Sequence, residues 1–587
     1  MPQPYHLLPR VGSSMAEEWL DIGLQHQVAG RFAEAEIAYL KGLRVEPNCG
    51  PIITNLGIMA AQQNNLLAAV QRLERALLFD PDNATTWYNY ALALLEAERA
   101  DEALRAIDRS LKIMESADAL TAKGMILTSL GLAAEAVEAY DRALDKNPQH
   151  PLASYNTPFA RTLKNTTPAD NHKARTRWHE THGWKGERKS HQNDKTPDRR
   201  MRVGYVGGDF KMHSAAFIFG AVIRNHDKSA VEPYCFMTMP CDPNADHQTK
   251  KFMETTAWRD ISALDDDAAE ALIRDEKIDI LVDLSGHTGG NRLPLFTRKP
   301  APIQVHAWGF AHGTGCPEID WFLADEYAIP PAERQFFAEQ IWDLPAIVGY
   351  EPSDYGQPAT SPPPVTRDGT FTFGVFGRFE KYSPQALEAW HKILLRTPGS
   401  VLQFKDATMR RPYAIRRILE AMRGIDPKRL RFMQDTSHTE QMLAYQGVDL
   451  VLDTFPHTGG VTALEMLYMG VPVVTLYNGQ VGGRTTSVVL RAMGRRSWIA
   501  ESIDEYVKIA VDLAQQRVEI AQARPSLRRE LLDSPICGPG YVRAVEAAYR
   551  SMWWRYCGHV AAVSRDTGEV RRAADAGLPA NLQHHRG

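Results

Sequence analysis

Six cysteines in 587 residues, at 49, 235, 241, 316, 537 and 557, contain no CxxC pair, which excludes a zinc ribbon and fits reduced thiols better than a disulfide framework. Long apolar runs are missing as well. None approaches the roughly 18 residues a membrane helix needs, and MPQPYHLLPR lacks the apolar core of a signal peptide. No charge of one sign dominates: 67 Lys+Arg stand against 71 Asp+Glu, a net charge of −4, so no polyanion-binding surface is indicated. These absences point to a soluble, cytoplasmic protein with neither nucleic acid nor membrane as a partner. The length calls for several domains rather than one core.

A repeat fills the first quarter. Gly23, Gly57 and Ala91 are spaced by 34, as are Ala35, Ala69 and Ala103, and Pro47 and Pro81 repeat a helix-ending proline. A fourth copy follows one residue early in Gly124, Ala136, Tyr140, Ala143 and Pro148. This pattern resembles the tetratricopeptide repeat, which implies stacked helix pairs with a concave face suited to extended peptide. Asn55 and Asn89 share one position in the second and third repeats, where an amide can clamp a peptide backbone by donating and accepting together. The first and fourth repeats have Asp21 and Ala122 there.

Residues 1–14 read as a leader, 15–150 as about four repeats, and 151–200 as a basic connector with one helical stretch near Asn171 to Gly183. His179 and His182 on that stretch read as a solvated face rather than a metal site. From Met201 the pattern turns to strand and helix alternation. Residues 201–350 form a first Rossmann-like domain, 351–368 a proline-rich bridge, 369–557 a second Rossmann-like domain ending in an amphipathic helix, and 558–587 a polar tail. The fold class is thus an all-α solenoid followed by two α/β domains. Neither first turn carries GxGxxG, so no dinucleotide cofactor is indicated.

In the second domain, Asp453-Thr-Phe-Pro-His-Thr-Gly-Gly460 joins an apolar strand to a helix beginning near Val461. Gly459 and Gly460 therefore sit at a helix N-terminus, where unpaired amides and the helix dipole favour a phosphate. Arg378 and Lys381 leave the domain's first strand at its ligand-binding edge and supply positive potential opposite a diphosphate. Asp265-Asp-Asp267 precedes a helix, and capping is its expected role.

Five blocks, RVGYVGGDFKMH, PAPIQVHAWGFAHGTG, RFEKYSP, DLVLDTFPHTGGVTALEML and GVPVVTL, resemble in order those of the protein O-GlcNAc transferases, inverting family-41 glycosyltransferases of the GT-B class. The solenoid in front matches bacterial-type members. The resemblance implies transfer of N-acetylglucosamine from UDP-GlcNAc to protein Ser or Thr hydroxyls, with inversion and without metal or other cofactor, the solenoid feeding the acceptor. It further implies that Lys381 and the start of the helix, Gly460, Val461 and Thr462, bind the diphosphate, that Glu465 holds the ribose, and that His438 lies against the uracil. His213, after the first strand, is either the base or an orienter of the diphosphate. Gly286, His287, Thr288 and Gly309 line the sugar pocket by topology, with His306 and His312 weaker candidates.

The sequence departs from the family at Arg378 (usually Gln), at Gly460-Val461 (usually His-Thr) and at Ala444 (usually Arg), and lacks the domain inserted in animal enzymes. Another UDP-sugar, a nonprotein acceptor, or a tetratricopeptide interaction protein with an inactive nucleotide-binding domain are the alternatives.

Overall fold

The computed structural model describes residues 5–10, 14–242, 246–353, 358–559, 561–563 and 570–572. The chain divides into two compact units, Met1–Arg161 with Thr408–Glu420, and Thr162–Ala407 with Ala421–Gly587.

The first unit contains four helix pairs: Met15–Val28 with Phe32–Val45, Gly50–Gln62 with Leu66–Phe79, Ala84–Glu96 with Ala100–Ile113, and Ala117–Ser129 with Ala133–Lys146. The repeated glycine has a steric cause. A β-carbon at Gly23 would lie 2.2 Å from the Tyr39 ring, at Gly57 2.7 Å from Leu73 Cγ, and at Gly124 2.5 Å from the Tyr140 ring. The alanines at 35, 69, 103 and 136 are fully buried at the same interfaces, so paired helices approach to a distance only small residues permit. Pro47, Pro81 and Pro148 each follow the end of a second helix. Ser14 opens the first helix with a capping box to Glu17. Residues 408–420, from the middle of the α/β sequence, join this unit through Arg410 and Arg411, both paired with Glu98.

The connector holds two helices, Pro151–Leu163 and Pro168–His182, where the sequence indicated one. Pro158 inside the first masked it. The second is not a solvated polar helix: Trp178 is buried, His179 Nε2 lies 2.9 Å from Glu318 Oε2, and His182 stands 5.6 Å from the Trp178 ring. Its burial partners lie more than a hundred residues away, which local polarity does not reveal.

Two parallel sheets form the rest of the second unit. The first comprises β1 (Met201–Gly207), β2 (Val231–Met237), β3 (Ala257–Asp260), β4 (Ile280–Asp283), β5 (Ile303–His306), β6 (Trp321–Ala324) and β7 (Gln340–Asp343), in the order β3-β2-β1-β4-β5-β6-β7. The second comprises β8 (Thr372–Val375), β9 (Val401–Lys405), β10 (Leu430–Met433), β11 (Leu450–Leu452), β12 (Val473–Leu476) and β13 (Ile499–Ala500), in the order β10-β9-β8-β11-β12-β13. In each sheet the strand order reverses beside the first strand, between β1 and β4 and between β8 and β11. Loops at the carboxyl ends there diverge and leave a crevice. The apolar run 303–310 yields only a short strand, because Trp308 takes φ +56° and the chain turns.

The amphipathic helix Pro539–Tyr556 does not stay with the second sheet. It packs on the first: Tyr541 Oη accepts from Trp308 Nε1 at 3.0 Å, and His226 Nδ1 lies 2.9 Å from Glu546 Oε1. Its apolar face finds its partners across the molecule, so the chain crosses back to the first domain at its end. Of the tail expected from 558, the antiparallel pair Ala561–Val563 with Val570–Arg572 is described, and most of the remainder lies outside the described residues, as do 354–357 of the bridge and 1–4 and 11–13 of the leader. No described helix is long and apolar enough to cross a membrane.

Candidate functional site

The loop from Asp453 to Gly460, leaving β11, is organised by one buried carboxylate. Asp453 Oδ1 accepts the amides of Thr454 (2.9 Å) and Gly459 (2.8 Å), and Oδ2 accepts the Thr475 hydroxyl (2.8 Å). Burial raises its carboxyl above the usual range against those hydrogen bonds. The Gly459 amide is therefore spent inside the protein, and its carbonyl accepts the Thr486 hydroxyl at 3.0 Å. This corrects the expectation for Gly459, whose part is to let the loop close on Asp453: a β-carbon there would stand 3.2 Å from Oδ1.

Gly460 differs. It caps the helix Val461–Tyr468 with φ −107° and ψ −102°, and nothing lies within 4 Å of the place a β-carbon would take. The amides of Gly460, Val461 and Thr462 have no acceptor among the described residues, while those of Ala463 and Leu464 bond to the Gly460 carbonyl. Three donors converge at an open helix start.

Lys381 reaches the same loop. After β8 the chain forms the short turn Phe379–Lys381, and Ser383 caps the next helix while donating its hydroxyl to the Phe455 carbonyl at 2.6 Å. Both loops are thereby tied. Lys381 Nζ donates to the Thr458 carbonyl at 2.8 Å. Its side chain is partly exposed but the ammonium is enclosed. Burial, helped by the Arg378 charge and opposed by Asp453 and Glu380, brings the ammonium down to about 7. Arg378 itself is exposed at the start of the turn.

One helical turn beyond the open amides, Glu465 Oε1 lies 2.6 Å from His438 Nε2, and Oε2 accepts the Tyr445 hydroxyl at 3.0 Å. The His438 ring stacks on Phe217 of the first domain, with centroids 5.3 Å apart and planes at 15°. Thus the residues expected to hold ribose and base form one cluster, and Phe217, unmarked in the sequence, joins it from across the crevice.

In the first domain His213 is exposed in the loop after β1. Its Nδ1 accepts the Ala215 amide at 3.3 Å and lies 3.6 Å from Asp209 Oδ2. The other expected pocket residues divide. Thr288 is half-buried with its hydroxyl donated to the Ser285 carbonyl at 2.7 Å. His287 is buried and held on one side: Nε2 donates to the Thr314 carbonyl at 2.7 Å, Trp178 meets the ring edge-on at 5.1 Å, Nδ1 has no hydrogen-bond partner among the described residues, and burial lowers the imidazole to about 4. Gly286, at φ +52°, has its amide on Asp283, and a β-carbon at Gly309 would fall 1.4 Å from the Leu284 carbonyl oxygen. The amides of both glycines are used inside the loops, Gly286 on Asp283 and Gly309 on the Ala307 carbonyl.

Those loops are fixed by a buried pair. His306 Nδ1 lies 2.7 Å from Asp283 Oδ2 and its Nε2 2.8 Å from the Phe310 carbonyl, two acceptors that call for a doubly protonated ring. Burial opposes the charge, but the Asp283 carboxylate outweighs it and the imidazole is raised.

In one further cluster the sequence marks His312 only as a weaker sugar-pocket candidate and gives His457 no role. His312 and His457, from loops of opposite domains, stack with centroids 6.5 Å apart at 25°. His312 Nε2 and His457 Nδ1 are buried without a hydrogen-bond partner among the described residues, and each lies 2.7 Å from the point a β-carbon on Gly482 would occupy. Burial lowers His312 to about 3, and lowers His457 well below its usual value, Lys381 adding to the latter. Two neutral imidazole nitrogens are thus within hydrogen-bonding reach of one point. Loop histidines give no local signal of such a pairing.

In the repeat unit Asn55 and Asn89 are fully buried, and each makes paired hydrogen bonds to the main chain of residues 8 and 6 respectively.

The glycosyl transferase family 41 model matches residues 166–348 and 366–538, and a tetratricopeptide repeat model matches 54–114 and 105–151. The chain is 35 % identical over 399 residues to the probable UDP-N-acetylglucosamine–peptide N-acetylglucosaminyltransferase SPINDLY of Petunia hybrida, covering 65 % of this chain and 42 % of that protein. It is 30 % identical over 377 residues to the probable enzyme of the same description, SEC, of Arabidopsis thaliana, covering 61 % and 38 %. The chain spans about two-fifths the length of the curated relatives it matches. A solved structure, a mutant of the Thermobaculum terrenum O-GlcNAc transferase, superposes with a TM-score of 0.76 at 30 % identity, covering 86 % of this chain and 97 % of that one.

Proposed function

Because this chain belongs to glycosyl transferase family 41, we propose that it transfers N-acetylglucosamine from UDP-GlcNAc to Ser or Thr hydroxyls of polypeptides, by direct displacement with inversion. The observation that carries the reading is the convergence of Lys381 Nζ and the three open amides of Gly460, Val461 and Thr462 on one side of the crevice, with Glu465 and His438 one turn further. A diphosphate seated there meets fixed donors, and the charge that grows on the leaving nucleotide is met without reorganisation. The ribose hydroxyls take the Glu465 carboxylate, and the base lies by His438. The sugar then faces His312 and His457.

For His213 we read an orienting role. With Nδ1 accepting the Ala215 amide, the ring proton sits on Nε2, which then donates to a substrate oxygen; service as base needs the ring proton on Nδ1, turned to Asp209. A metal-independent reaction is supported by the engagement of the acidic run: Asp265 caps its helix, and Asp266 and Asp267 pair with Arg292 and Arg298. The repeat groove is read as the acceptor's docking site, and six unpaired cysteines support a reducing, cytoplasmic setting.

The test is sugar release from a panel of UDP- and GDP-sugars, with and without polypeptide acceptors. Acceptor-dependent release from UDP-GlcNAc, lost in Lys381→Ala with the fold intact, is the expected result. Preference for another donor overturns the sugar assignment; no turnover with any donor leaves a nucleotide-binding interaction protein.

A further inference from the structure

The segment Tyr5–Arg10 lies along the repeat unit and is held by its main chain. Asn89 Nδ2 donates to the His6 carbonyl at 2.8 Å and its Oδ1 accepts the His6 amide at 2.9 Å. Asn55 does the same with Leu8, at 2.9 Å for both bonds. One amide side chain that satisfies both main-chain groups of a residue reproduces the pairing of a β-ladder, and it reads an extended backbone whatever its side chains. The register is regular. The two asparagines are 34 residues apart and the residues they hold are two apart, the interval at which an extended chain presents the same face. The next step falls on Asp21, where Arg10 Nη1 lies 3.4 Å from Oδ2. The segment thus runs against the order of the repeats, with residue 6 on the third, 8 on the second and 10 on the first. At the other end, His6 rests on the Tyr88 ring at 4.7 Å, its Nε2 3.9 Å from Asp118 Oδ2. Pro9 falls between clamped positions, where a missing amide costs nothing and the fixed φ suits an extended chain.

We propose that residues 5–10 are a cis occupant of the repeat groove, which an extended partner segment must displace; the partner's class rests on the reading of that groove as a docking site for polypeptide. The partner's chemistry follows from the contacts: amides at alternate positions, hence no proline there, and a basic side chain facing Asp21. Only residues 11–13 separate the segment from Ser14, which caps the first repeat helix. So short a tether holds it at an effective concentration in roughly the millimolar range, enough to exclude weaker free peptides.

The proposal concerns the repeat unit alone, so its test needs no turnover and stands apart from the fate of the sugar-transfer reading. A fluorescent peptide with the sequence of residues 3–12 is titrated against the full chain and against the chain lacking residues 1–13, with circular dichroism melts to confirm that both are folded. The shortened chain binds, and the full chain binds at least about tenfold more weakly. Asn55→Ala with Asn89→Ala in the shortened chain weakens binding about tenfold or more. A peptide N-methylated at the positions of His6 and Leu8 tests the same contacts with the protein untouched, and it fails to bind. Equal binding by both chains, no binding by the shortened chain, or full binding of the N-methylated peptide overturns the proposal.

Discussion

His438 Nε2 and Glu465 Oε1 stand 2.6 Å apart, with the Tyr445 hydroxyl on the other carboxylate oxygen. The carboxylate is oriented from two sides, and each of its oxygens keeps a second lone pair for a further donor.

In Glu465→Gln the side chain keeps its size but has one acceptor oxygen for two donors. The affinity for UDP falls about tenfold, as for a lost charge-assisted hydrogen bond, while turnover at saturating donor changes little. Calorimetric titration with UDP beside steady-state rates separates the two; an equal loss in both removes Glu465 from nucleotide binding.

Lys381→Ala lowers turnover by about 10²–10³, the scale of one electrostatic donor at a developing charge. The same lysine sets a pH dependence. Its ammonium, brought down to about 7 in the free protein, is raised by a bound diphosphate. Binding therefore favours the protonated form: donor affinity is full below pH 7 and falls by about tenfold per unit as pH rises above it, until the raised value of the complex is reached. Lys381→Arg keeps its charge throughout and flattens that limb. A wild-type profile flat from pH 6 to 9 contradicts the assignment.

For His213 the paired substitutions distinguish donor from base. If the ring orients a substrate oxygen through Nε2, His213→Gln retains more activity than His213→Ala; if it is the base, both lose about 10²–10⁴. Initial rates of the two variants with one polypeptide acceptor decide it.

Two glycines give opposite outcomes to alanine. Gly482→Ala places a methyl 2.7 Å from nitrogens on both His312 and His457, side chains that can swing, so the fold survives while sugar transfer falls and UDP binding stays. Gly309→Ala meets the Leu284 carbonyl at 1.4 Å, backbone that cannot yield, and costs on the order of 3–5 kcal/mol. Thermal melts of the two, set against activity, test the contrast.

The solenoid and the two sheets were legible because their signals are local: a period of 34, small residues at fixed places, apolar strands between glycines. The edge strands Ala257–Asp260 and Gln340–Asp343 carried no such signal, since AWRD and QIWD mix charge with aromatic residues at partly exposed edges. In the candidate site, the sequence names Lys381, Gly460, Glu465 and His438; the structure sets Lys381 Nζ on the Thr458 carbonyl, two residues before Gly460, and Glu465 Oε1 2.6 Å from His438 Nε2. What the sequence hid was which groups are already spent. The Gly459 amide goes to Asp453 and His287 goes to Thr314, and both outcomes depend on how loops close after folding. The His312–His457 pair needed both domains in place, and no spacing rule joins residues 145 positions apart.

The asparagine contacts make the solenoid a ruler. Each unit of 34 residues advances the bound chain by two, a travel of about 6.6–6.8 Å for extended backbone. Asp21 and Ala122 mark where the graduations end, one reading charge and the other nothing. The span over which backbone is gauged is set by how many consecutive units carry the amide, not by how many units there are. Writing Asn at 122 would extend the scale by one dipeptide without lengthening the protein.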